Sequence, residues 1–240
     1  MCTVTFVPTS ANSFLLTSNR DEYRLRPTLP PQLYEWNGEI LCFPKDQQAG
    51  GTWIVTHPQF TLCLLNGAFE THVRKESYRQ SRGKILLDFF EYRSVNLFLQ
   101  NYRWEGIEPF TLLLIEHNHK QLTEVRWDET EQLHVRTLPT NVAHIWSSAT
   151  LYAASVRQLR QIWFEAWLLE YTQPTVTSII QFHRFGGNGD SSNDLVMNRA
   201  NIVQTLSTTC IDFVPHQHHT VYYREYLQPT LLEQHLPIAL

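Results

Sequence analysis

Met1-Cys2-Thr3-Val4-Thr5-Phe6-Val7 and, a few residues on, Ser13-Phe14-Leu15-Leu16-Thr17-Ser18-Asn19-Arg20-Asp21-Glu22 decide how this chain folds. Two apolar, β-branched runs flank the turn-forming segment Pro8-Thr9-Ser10-Ala11-Asn12, which is the pattern of strand, turn, strand. Antiparallel pairing folds the end of the second run back beside the start of the first, bringing Arg20 and Asp21 within reach of the Cys2 thiol. Methionine ahead of a residue as small as cysteine is normally trimmed, which leaves an α-amine and a thiol on one residue. That amine titrates near ~7.7–8.0 and, once neutral, can take the thiol proton. A neighbouring guanidinium favours the thiolate, and a carboxylate would hold the ammonium in place. Nucleophile, base and orienting group would then come from one hairpin. The same residues also fit a plainer arrangement, in which Cys2 is a small buried hydrophobe opening an edge strand and Arg20-Asp21-Glu22 is a solvated turn.

Around this stretch the chain reads as one unit, residues 1–240, with no linker, repeat or low-complexity run. The net charge of −4 and the scattered Lys and Arg form no basic stripe, which argues against a nucleic-acid partner. No apolar segment approaches the roughly 20 residues that span a bilayer. A basic region followed by an apolar segment is missing at the start, so residence in the cytosol is expected. Cys2, Cys42, Cys63 and Cys210 show no close pairing and read as free thiols, the last three as core residues.

Pro27 to Pro31 reads as a surface connection, Glu35 to Glu39 as a turn, and Ile40 to Phe43 as a short strand. Gly50-Gly51 ahead of Thr52-Trp53 marks a backbone that must pass close to a ligand or to another segment. Strands are expected at 52–56 and 60–65, closed by Asn66-Gly67. Asn66 is either simply that turn or a donor to the oxyanion of an acyl intermediate. From Ser81 the period becomes helical, giving two helices broken near Arg93 that lay an aromatic face on a sheet. Strands at 110–116, 121–127, 132–137 and 141–146 follow, with His117 and His119 in a solvated turn. A long helix is expected over 149–169, capped by Ser148, and a shorter one over 175–183. The glycine-rich segment 185–190 lacks the Lys-Ser/Thr of a phosphate loop. Two strands, 202–214 and 220–226, close the chain around His216, His218 and His219, which read as a surface turn rather than a metal site. This order of elements favours an α+β domain of mainly antiparallel sheets with helices packed outside.

Met-Cys-Thr, Thr17-Ser18-Asn19-Arg20-Asp21-Glu22-Tyr23, Arg26-Pro27, Ala49-Gly50-Gly51-Thr52-Trp53-Ile54 and Leu64-Leu65-Asn66-Gly67 together resemble the NRDE family. That family is in turn similar to the N-terminal-nucleophile hydrolases with a cysteine nucleophile, the bile-salt-hydrolase and penicillin-acylase group. The resemblance implies a four-layer αββα sandwich with Cys2, Arg20, Asp21 and Asn66 as catalytic residues. It further implies that Asn19, Glu22, Gly50, Gly51, Thr52, Trp53 and Ser148 contact substrate. Two departures are visible: Ser148 stands where the hydrolases carry an asparagine and Leu206 where they carry an arginine, with Arg199 as a possible substitute. The implied activity is hydrolysis of an amide or thioester bond in a small acylated compound, with no cofactor required. The alternative that the NRDE resemblance implies is carriage of haem or a lipid as a bound ligand.

Overall fold

The structure, a computed structural model, describes residues 3–217, 219–228 and 230–236. The opening hairpin pairs β1 (Thr3–Pro8) with β2 (Phe14–Tyr23), Thr3 opposite Asn19 and Pro8 opposite Phe14. Next come β3 (Thr28–Trp36), β4 (Glu39–Asp46), β5 (Ile54–His57) and β6 (Phe60–Asn66). A helical pair follows, α1 (Ile85–Tyr92) and α2 (Val95–Asn101). Four strands then run as β7 (Phe110–Glu116), β8 (Gln121–Trp127), β9 (Leu133–Leu138) and β10 (His144–Ser147). Two more helices, α3 (Ala154–Glu170) and α4 (Val176–Phe185), precede the two-residue β11 (Asn198–Arg199). The described chain ends with β12 (Val203–Phe213), β13 (His219–Glu225) and β14 (Thr230–Leu236).

These strands form two antiparallel sheets, one ordered β10-β1-β2-β12-β13-β14 with β11 on β12, the other running from β3 to β9 in chain order. Successive side chains of a strand point to opposite faces, so neighbours such as Leu15 and Leu16 enter different cores. Leu16, Val4 and Phe6 meet Ile54, Cys63 and Leu113 between the sheets. Leu15, Val7 and Cys210 pack outward against Phe164 and Trp167 of α3 and Phe182 of α4. On the far side Leu64, Leu112 and Val125 receive Phe89, Phe90 and Phe98. Three apolar layers thus separate four structural layers, the αββα sandwich. Because both faces of both sheets are covered, strands such as Phe60–Asn66 are apolar almost throughout instead of alternating with polar residues.

Several segments depart from the expectation. Thr28–Trp36 is an edge strand, not a connection; Pro30 and Pro31 fall where its register to β4 shifts, and an edge is where a missing N–H is tolerated. The long helix starts at Ala154, five residues late, because the Ser148 hydroxyl donates to Asn66 O (2.7 Å) instead of capping. Its buried stripe is Arg160, Phe164 and Trp167, while Ile162 is 53% exposed. His117 is buried between the sheets, bonded to Pro58 O and Thr61, whereas His119 is exposed. Of the closing histidines, His216 is exposed, His219 is buried against Thr56, and His218 lies outside the described residues. A third closing strand, β14, extends the sheet beyond the two expected. Among the described residues no helix is long and apolar enough to cross a membrane, and no cluster of three or more His, Cys, Asp or Glu could hold a metal.

Candidate functional site

The end of β2 is where polar residues enter the interior. Arg20 and Asp21 are each 2% exposed, so they are not a solvated turn, and strand alternation sends them to opposite faces of the sheet. Arg20 projects between the sheets. Its Nη2 donates to Asp46 Oδ2 at 2.8 Å, its guanidinium lies 4.7 Å from the Trp53 ring centroid, and its Nη1 is buried without a partner among the described residues. Asp46 closes β4 and also accepts from Arg26 Nε (2.7 Å) and from the amides of Gln48 and Ala49. Burial alone would raise the Asp46 carboxyl, but the Ala49 amide and the Arg20 and Arg26 guanidiniums outweigh it and hold the group below the usual carboxylate range.

The glycine pair follows from this anchor. The chain wraps around Asp46 with Gly50 at φ 71°, and Gly51 then lies so close to a second loop that an added Cβ would stand 2.5 Å from Gly83 C. The close approach is therefore to another segment of the chain. Thr52 belongs to the same junction: its N–H donates to Gly83 O (3.0 Å), and its hydroxyl to Pro44 O (2.6 Å) and Ile54 O (2.9 Å). The resulting pocket, about 100 Å³, brings together Arg20, Glu22, Gly51, Thr52, Trp53 and Asn66. Arg26, Asp46 and Arg82 also line it. It shares Glu22, Arg26, Asn66 and Arg82 with a wider cleft of about 580 Å³ that His72, Arg74, Glu108 and Thr150 also line.

Asn66 ends β6 with its side-chain amide making no hydrogen bond to a described residue and its carbonyl held by Ser148. Gly67 follows at φ 83°, where a Cβ would stand 2.7 Å from Thr150 Oγ1 and 2.8 Å from Thr150 N. Gly67→Ala is accordingly expected to cost about 1–3 kcal/mol of stability; an unchanged thermal midpoint would show that this turn is not constrained.

On the other face Asp21 accepts from Tyr152 Oη (2.6 Å) and Thr205 Oγ1 (2.5 Å). Two guanidiniums pack on the Tyr152 ring, Arg160 at 3.6 Å and Arg199 at 5.1 Å from its centroid. Arg160 is fully buried and donates to the carbonyls of Asn193 and Asp194 and to the Thr3 hydroxyl. Arg199 is engaged there, with Leu151 O and Ser192 O, away from the Arg20 pocket. Leu206 is buried at the bulge between Thr205 and Ser207 and brings no charge. Asn19 is also turned away from the pocket, its amide nitrogen on His183 O and Leu195 O and its oxygen accepting from Thr208. Glu22 pairs with Arg26 at 3.6 Å on the pocket rim. Met1 and Cys2, the expected nucleophile, lie outside the described residues. Thr3 pairs with both Asn19 and Ser147, so β1 begins at the Arg20 end of β2.

Sequence reasoning missed Asp46, Arg82, Tyr152 and Arg160. Asp46 was signalled by its place ahead of the glycine pair; Arg160 was not, since an arginine on an amphipathic helix reads as solvent-facing.

The pattern that defines the family described as Transport and Golgi organisation 2, the NRDE family, matches residues 1–223. No curated protein matches the sequence. Among solved structures, the chain is similar to a Caenorhabditis elegans N-acylethanolamine-hydrolyzing acid amidase ortholog at TM-score 0.54 and 14% identity, covering 88% of this chain and 92% of that one. It is also similar to a single-substitution variant of conjugated bile acid hydrolase from Clostridium perfringens at TM-score 0.58 and 9% identity, covering 98% of this chain and 92% of that one. At such identity the likeness establishes the fold, that of the N-terminal-nucleophile hydrolases.

Proposed function

The chain belongs to the Transport and Golgi organisation 2 family, and from that premise we propose that it is an N-terminal-nucleophile-type hydrolase cleaving the amide or thioester bond of a small acylated compound, with Cys2 as nucleophile. The observation that supports this reading is the Arg20 end of the opening hairpin. There the buried Arg20 guanidinium, whose Nη1 has no partner among the described residues, and the Asn66 side-chain amide, which makes no hydrogen bond to a described residue, line one pocket, and β2, which carries Arg20, pairs with the strand that begins at Thr3.

In the proposed reaction the Cys2 α-amine takes the thiol proton and the thiolate sulfur bonds to the acyl carbon. The Asn66 amide donates to the developing oxyanion, and Arg20 supplies positive charge to the thiolate. The ammonium then returns its proton to the leaving nitrogen or sulfur as that atom's bond to carbon breaks. Water, giving its proton to the amine, attacks the thioester; acid leaves and the thiol is restored. Asp21, clamped by Tyr152 and Thr205, holds the hairpin end from the opposite face.

The test is an intact mass of the purified protein before and after incubation with the acetyl thioester of N-acetylcysteamine. The background is low, since Cys42, Cys63 and Cys210 are buried and burial pushes each thiol up to about 12. The expected result is a chain lacking Met1 that gains one acetyl group, with no gain and at least ~100-fold slower hydrolysis in Cys2→Ser. Quantitative retention of Met1, or unchanged acylation of Cys2→Ser, overturns the mechanism. Stoichiometric haem binding by a chain that takes no acyl group would instead identify a carrier.

A further inference from the structure

Behind the Asn66 turn lies a separate cavity of about 250 Å³ that, among the described residues, shares no lining residue with the Arg20 pocket or its outer cleft. It is walled by Thr111 of β7, Arg126 of β8, Trp146 and Ser147 of β10, and Arg157 and Gln161 of α3. Among the described residues the lining holds two arginines and no carboxylate. Each arginine has one carboxylate partner: the buried Glu124 takes Nη2 of Arg126 at 3.0 Å and is itself held by Trp146 Nε1 and Arg136, and the exposed Glu70 takes Nη2 of Arg157 at 3.2 Å. Each arginine still has its Nε–H buried without a partner among the described residues. Those two groups are sealed within the protein, but each Nη carries two N–H bonds and has one acceptor among the described residues, which leaves both guanidiniums with donors for acceptor oxygens in the cavity. The 17-residue α3 begins at the same wall with Ala154, with no side chain capping its N-terminus and no acid in its first turn.

We propose that this cavity binds a small oxyanion, a phosphate or a carboxylate, between Arg126 and Arg157. The same two arginines hold the turn that carries Asn66. Arg126 Nη1 donates to Ala68 O (2.9 Å) and Arg157 Nη1 to Phe69 O (2.6 Å), while Thr111 holds Gly67 O (2.9 Å) and Ser148 holds Asn66 O. Four consecutive carbonyls are thus fixed by side chains from four different segments. An anion seated against two of those side chains stiffens the turn, so the cavity is a place from which Asn66 can be regulated without occupying the Arg20 pocket. Occupancy does not depend on Cys2.

The experiment follows thermal unfolding of the full chain titrated with inorganic phosphate or with succinate, at constant ionic strength against chloride. The expected result is a saturable rise in midpoint, preserved in Cys2→Ser, with the apparent Kd weakened about tenfold in Arg157→Gln. Gln161→Glu, a surface change that adds negative charge at the cavity wall without touching the core, is expected to weaken binding similarly. Saturation by phosphate alone assigns a phosphate group, by succinate alone a carboxylate, and by both the shared chemistry. A linear rise without saturation is general exclusion of salt from the protein surface and overturns the proposal. So do curves no different from chloride, curves unchanged in both variants, or saturation lost in Arg74→Gln, which would put the anion in the outer cleft.

Discussion

Between pH 7 and pH 5 the protein is expected to lose about 4 kcal/mol of folding stability, about 2 from each of two buried histidines that stay neutral in the fold. His183 is fully buried. Its Nδ1–H donates to Asn19 Oδ1 (3.0 Å), and its Nε2 accepts from the Thr5 hydroxyl (2.8 Å). Asn19 Nδ2 is committed to two carbonyls, which leaves Oδ1 as the acceptor and fixes the histidine tautomer. A second proton would place an unpaired positive charge in the interior, and burial together with the nearby Arg160 lowers this histidine to about 3. His117 is held alike, Nδ1–H on Pro58 O and Nε2 accepting from Thr61, and burial lowers it to about 3 as well. In the unfolded chain both bind a proton near ~6.5, so the stability is whole above that value and falls as pH drops from there toward 3. Burial lowers His57 too, which adds in the same direction. A second loss follows in more acid solution. Asp46 and Glu124 are held below the usual carboxylate range, so their contribution is present above about pH 4 and disappears as pH falls through their folded values. Urea midpoints at pH 7, 6 and 5 measure the first stage. His183→Gln, which keeps a donor and an acceptor without titrating, is expected to halve the slope. Equal stability at pH 7 and pH 5 would contradict the neutral buried histidines.

Arg160→Ala is expected to destabilise the fold by about 3–5 kcal/mol, near the top of what one substitution does. The guanidinium satisfies two carbonyls of the 193–194 segment, reaches the Thr3 hydroxyl at the start of β1, and covers one face of the Tyr152 ring. Truncation leaves those part-buried carbonyls without their donor, opens a void between α3 and the sheet, and frees Tyr152, whose hydroxyl holds Asp21. The removed side chain therefore links the late loop, the long helix and the first strand. Denaturation in urea measures it against Arg103→Ala, an exposed arginine expected to change stability by no more than about 0.5 kcal/mol. A loss below about 1 kcal/mol for Arg160→Ala would mean that water or neighbouring groups replace the guanidinium.

What the sequence determined by itself was local. Period-two and continuous apolar runs located β7 and β8 to the residue, helical spacing located α1 and α2 with their break at Arg93, and the short helix expected from Thr175 is α4, with Thr175 as its N-cap. The motif stretches marked segments that meet: Arg20, Glu22, Gly51, Thr52, Trp53 and Asn66 line one pocket. Only the tertiary structure decided which face each polar residue took. Neighbours on β2 alternate, so Arg20 enters the space between the sheets while Asn19 and Asp21 enter the helical side, and no local pattern states which side holds the pocket. Arg160 shows the limit most plainly. On a helix wheel it falls in line with Val156, Phe164 and Trp167, where a charged side chain reads as one that reaches past the apolar stripe to solvent; it is buried because its partners, the carbonyls of Asn193 and Asp194, more than thirty residues away, come near only when the late loop packs on α3. Secondary structure follows from side chains a few positions apart, whereas a buried charge is stabilised by partners distant in the chain.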